Sequence, residues 1–138
     1  MRRYNQLKKQ LSLLLIGIIS LVSATACTSG SAVQSEPVQV EIKTVQDPVY
    51  SGRATLIEAH VKQGSETVKD AQEVKFEIKK KDHANPESIV AAHWQDGVYR
   101  IKKLFPQDGT YEITAHVTAR DSIVSPQKEL VVGAATVQ

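Results

Sequence analysis

Four histidines, His60, His83, His93 and His116, and one cysteine, Cys27, are the side chains of this 138-residue chain best suited to metal or nucleophile chemistry. Imidazoles hold zinc or copper when several converge, and the only thioether that could help them belongs to Met1. No pair of histidines has the short spacing of a structural zinc site, so a metal centre here would have to be assembled by the fold. His83, His93 and His116 are the candidate ligands, for copper or zinc. No glycine-rich loop opens a helix, no serine sits in a nucleophile elbow, and the acids are scattered along the polar faces of strands. The sequence therefore points away from an enzyme.

Cys27 has a more specific setting. Arg2, Arg3, Lys8 and Lys9 precede a twelve-residue, mostly Leu and Ile run from Leu11 to Val22, and Ser23-Ala24-Thr25-Ala26 follows as a small-residue stretch. This is the three-part pattern of an export signal helix. As a helix the apolar run spans about 18 Å against a hydrocarbon core of about 30 Å, which favours a cleaved signal over a membrane span. A cysteine directly after the small residues resembles the lipobox of bacterial lipoproteins, with Ala24 where Leu is usual. The resemblance implies that residues 1–26 are removed and that Cys27 becomes an acylated, palmitate-bearing N-terminus on the outer side of the cell membrane. It also accounts for a lone cysteine in an exported chain.

Cleavage would reverse the charge. The full chain carries 17 Lys and Arg against 15 Asp and Glu, and four of the bases but none of the acids lie in residues 1–26, so the mature chain is about −2. Such a chain offers no electropositive footprint for nucleic acid. Residues 27–37 are rich in Ser, Thr and Gly and read as a tether, 38–133 as the folded domain, and 134–138 as a tail.

Alternation with a period of two runs through the domain. Val38, Val40 and Ile42 alternate with polar residues, as do Ile57, Ala59 and Val61, then Val74, Phe76 and Ile78. Further strands are expected at Ser88–Trp94, Val98–Phe105, Thr110–Ala119 and Gln127–Val132, with Gln95-Asp96-Gly97 as a hairpin turn. These add up to an all-β, seven-stranded antiparallel immunoglobulin-like β-sandwich. Asp108, Gly109 and Tyr111 resemble a tyrosine corner, in which the phenol ties back to the turn backbone. Parity puts His60 and His116 on opposite outer surfaces, too far apart to share an ion. Lys79-Lys80-Lys81 reads as an aggregation block at a strand end, and Trp94 as a half-buried rim residue.

The segments Asp96-Gly97-Val98-Tyr99, Asp108-Gly109-Thr110-Tyr111 and His116-Val117-Thr118-Ala119-Arg120, with Glu73 to Ile78 upstream, resemble the YtkA-like domain, which is similar to FixH-like proteins. The resemblance implies an extracytoplasmic module, found largely in short lipoproteins and sometimes linked to copper handling or respiratory oxidase maturation. Relatives often carry Met-His-x-Met-Pro where this chain has Ser122-Ile123-Val124-Ser125-Pro126, so the soft donors for Cu(I) are missing. The expectation is a lipid-anchored, non-catalytic binding module for a protein or peptide partner, with copper or zinc binding as the alternative.

Overall fold

The computed structural model describes residues 35–135; the predicted signal, Cys27 and most of the tether lie outside the described residues. Eleven strands follow in order: β1 (Val38–Thr44), β2 (Val49–Tyr50), β3 (Ala54–Gln63), β4 (Glu66–Thr67), β5 (Glu73–Lys80), β6 (Glu87–Val90), β7 (Ala92–Gln95), β8 (Val98–Leu104), β9 (Gly109–Ala119), β10 (Ser122–Val124) and β11 (Gln127–Gly133). They form two sheets. The first has the order β1-β3-β8-β7 with β4 on β3, and the second β2-β11-β9-β5-β6 with β10 on β9. Every pairing is antiparallel except β2 with β11.

The apolar residues of the alternating strands meet between the sheets. Ile57 and Val61 of β3, Phe76 of β5, Phe105 after β8, and Ile113 and Val117 of β9 are fully buried. Burial of each such side chain contributes about 1.5–3 kcal/mol, and no disulfide joins the sheets. Tyr111 packs edge-on against Phe105 at 4.6 Å between ring centroids and donates its hydroxyl to the Gln107 carbonyl at 2.8 Å. Tyr99 does similar work at the far end of the sandwich: its hydroxyl donates to Val68 O and accepts from Ala71 N–H, each at 3.0 Å, pinning the β4–β5 connection.

Two features depart from the seven-strand expectation, and the setting of the lysine run at its strand end becomes more specific. The anticipated strand Ser88–Trp94 is two strands in different sheets, β6 on β5 and β7 on β8, and the chain changes sheets at Ala91, whose N–H bonds Val74 O at 2.8 Å. Switching of this kind closes the corner of a sandwich, and it cannot be seen in an unbroken polar and apolar alternation. The two-residue strands β2 and β4 and the three-residue β10 are too short for any period to appear. The Lys79–Lys81 run lies at the end of β5, an interior strand of its sheet, rather than on an edge. There Lys79 and Lys81 pair with Glu112 and Glu129, while Lys80 donates to Gln107 at 3.0 Å.

Candidate functional site

The histidines are not brought together. His93 lies on β7 of the first sheet, its Nε2 donating to Asp96 O at 2.6 Å and its ring 5.1 Å from Tyr99. His116 lies on β9 of the second sheet between Glu77, at 3.3 Å, and Ser125 Oγ, at 3.0 Å. His83 follows β5 and borders a small cavity of about 170 Å³ with Lys80 and Lys103. Among the described residues no three His, Cys, Asp or Glu side chains form a group that could hold a metal ion. The three do not form a donor set for a copper or zinc ion: His93 and His116 sit on different sheets with separate partners, and His83 lies in the segment after β5.

A different constellation occupies the outer face of the first sheet. Strand register sets Glu58 of β3 directly between Lys43 of β1 and Arg100 of β8, and sets His60 opposite Glu41. Glu58 is 8% exposed although it points away from the core, because its neighbours cover it. Arg100 Nε donates to Glu58 Oε1 at 2.8 Å and its Nη2 reaches the same oxygen; His60 Nε2 lies 2.8 Å from the other oxygen. Burial pushes the Glu58 carboxyl up, but the hydrogen bonds from Arg100 and His60 outweigh it and hold the group below the ordinary carboxylate value.

Trp94 completes the row. A bulge between His93 and Gln95 shifts the β7 register, and the Arg100 guanidinium then lies 4.2 Å from the centre of the indole. Arg100 is thus held in its own plane by a carboxylate and stacked on an aromatic ring, a contact worth about 0.5–2 kcal/mol. Trp94 is 57% exposed rather than half-buried, so one side of the ring is braced and much of the rest faces solvent. Leu104 of β8 and Val45, next to β1, are also exposed.

Beside this row lies a groove of about 540 Å³, whose lining includes His60, Val98, Gln39, Lys62, Thr67 and Gly97. The second sheet presents a plainer outer face. There Lys75, Lys79 and Lys81 are set against Glu73, Glu77, Glu112 and Glu129, largely in cross-strand pairs, so acids exceed bases by one. The outer face of the first sheet is the more differentiated of the two. It has an aromatic platform, a fixed guanidinium and a polar groove. The sequence signal for it was the parity of Glu58 and His60; the strand register that sets Glu58 against Arg100 is invisible in a linear reading.

Residues 32–116 match the family described as YtkA-like. No curated protein matches the chain. Among solved structures, an engineered protein is similar over 71% of this chain at 17% identity and a TM-score of 0.51; the chain spans about a fifth of that protein's length, 20%. A CARDB domain from Pyrococcus furiosus, solved in complex with di-metal ions, is 20% identical over 73% of this chain and 96% of its own, at a TM-score of 0.45.

Proposed function

The chain belongs to the YtkA-like family, which is not known as an enzyme family, and from that premise we propose a lipid-anchored, extracytoplasmic, immunoglobulin-like module. Its role is to bind a protein partner, without catalysis, through the outer face of the first sheet. The observation that carries this reading is the Trp94–Arg100 stack, its indole exposed and its guanidinium fixed in its own plane by the buried carboxylate of Glu58. Tryptophan and arginine are the residue types that dominate binding energy at protein interfaces, and a pre-ordered arginine loses little freedom on docking. The test is whether a partner is captured from this face and not from the second sheet's.

The anchor rests on the lipobox-like stretch before Cys27. Metabolic labelling with an alkyne palmitate analogue is expected to mark the wild-type chain and to leave Cys27→Ser unlabelled and at precursor size. Acylation that persists in Cys27→Ser removes the anchor from the proposal. Metal binding has no observation in its favour among the described residues and is not part of the proposed function.

A further inference from the structure

On the reading that the first sheet's outer face is a docking surface, we infer that it receives an extended acidic segment of a partner protein, with two carboxylates about six residues apart. Charge favours an acidic occupant. The strands of this face carry Lys43, Lys62, Arg100 and Lys102 against Glu41 and Glu58, two positive charges in excess, while Asp96 on the adjoining turn is paired with Lys69 at 3.7 Å; residues 35–135 taken together are net acidic, and the opposite face is acidic by one. Two of those bases are already paired, Lys43 with Glu41 at 3.1 Å and Arg100 with Glu58. Lys62 and Lys102 have no acidic partner among the described residues, and both are exposed. Their charge is offered to whatever docks.

Spacing sets the distance between the two carboxylates. Lys102 stands opposite Leu56 of β3, and Lys62 lies further along that same strand. At about 3.4 Å per residue the two positions are roughly 20 Å apart, which an extended chain covers in about six residues. Between them lie the Arg100–Glu58–His60 row and Trp94, and at the Lys62 end the groove has room for a terminal side chain.

Size favours a single segment. Four strands about 4.8 Å apart and about 24 Å long give a face of roughly 400 Å². Stable protein pairs bury about 800 Å² on each partner, so the face suits a single segment better than a second folded copy. An isologous dimer through it would also set like charges against each other.

Trp94 is the only tryptophan of the chain, so its fluorescence reports this face directly. The probe is a synthetic nonapeptide of alternating Thr and Val with Glu at the second and eighth positions, titrated into the full-length protein in mild detergent. A Gln-substituted peptide and phosphatidylglycerol vesicles are the comparisons. The expected result is a saturable shift of Trp94 emission with the Glu peptide. The affinity should fall at least tenfold in Lys62→Gln, Lys102→Gln, and also when ionic strength rises from about 0.05 to about 0.5 M. An unchanged melting temperature shows that the double variant has folded; should it drop, the salt titration of the unaltered protein decides alone. Equal binding of the Gln peptide, or an affinity indifferent to both salt and the two lysines, overturns the inference. So does an emission shift produced by the vesicles and not by the peptide, which would assign the face to lipid. A Trp94-dependent partner captured in cells, with no response to the Glu peptide, overturns the acidic segment and leaves the docking face standing.

Discussion

Gly97→Ala is expected to lower the melting temperature by roughly 15 °C, the effect of about 3 kcal/mol on a domain of this size. Gly97 ends the β7–β8 turn with its carbonyl accepting the Val61 N–H at 2.8 Å, and Val68 N–H bonds Val61 O at 3.0 Å immediately beside it. A Cβ on Gly97 would fall inside the van der Waals shell of the Val61 carbonyl oxygen, and 3.1 Å from both Thr67 Cβ and Val68 N. None of these atoms is the end of a flexible side chain. The turn must move as a whole, which weakens the bonds that hold β4 and the groove wall to β3. Gly52 provides the contrast: it has a φ of +72° but nothing within 4 Å of its would-be Cβ, so alanine there meets only local strain, about 1 kcal/mol. Thermal unfolding of the two variants checks the order. A Gly97→Ala protein as stable as the parent would mean that the turn does not pack against β3 as described.

Glu58→Gln is expected to cost about 2 kcal/mol at neutral pH, and to flatten the loss of stability on acidification. Removing the charge of one member of a largely buried pair leaves the other without its counter-charge; the glutamine amide keeps one acceptor oxygen, for either Arg100 or His60, and turns an NH2 donor toward the other. The full range for breaking a buried pair is about 3–5 kcal/mol, reduced here because Arg100 keeps 23% of its side-chain surface in water. The pH dependence has a definite sign. The folded-state value of Glu58 lies below 4.5, so its contribution is complete above that value and is lost as pH falls through the lower, folded-state value. Chemical denaturation from about pH 6 to pH 3 should therefore show a shallower decline for Glu58→Gln than for the parent. Parallel curves would show that Glu58 is not held ionised by its neighbours.

The long strands were legible because their environment is asymmetric. In β1, β5 and β9 one face meets the core and the other water, so Val74, Phe76 and Ile78, or Tyr111, Ile113, Ala115 and Val117, stand out by alternation alone. The Tyr111 corner was legible because its turn residues are contiguous in sequence. Elsewhere the determining contact lies between residues far apart. The jump at Ala91 leaves the alternation unbroken while the pairing partner changes from β5 to β8. Glu58 looks like any solvent-facing acid until register sets it against Arg100, 42 residues away. Gly97 reads as a turn glycine, yet the positive φ falls on Asp96, at 47°, and Gly97 is required for close approach instead. The separation of His93 from His116 on different sheets is likewise invisible in a linear reading, since residue type speaks for metal binding only when geometry brings the ligands together.

The central claim is that the face built by Trp94, Arg100 and Glu58 is where a partner docks. The most direct measurement is site-specific photo-crosslinking in intact cells. One position is Ala92, exposed and opposite Arg100 in register; the other is Thr114, on the outer face of the second sheet. The account predicts a discrete adduct from position 92, lost when Trp94→Ala is added, and none from position 114. Adducts from position 114 alone, or from position 92 undiminished by Trp94→Ala, would contradict it.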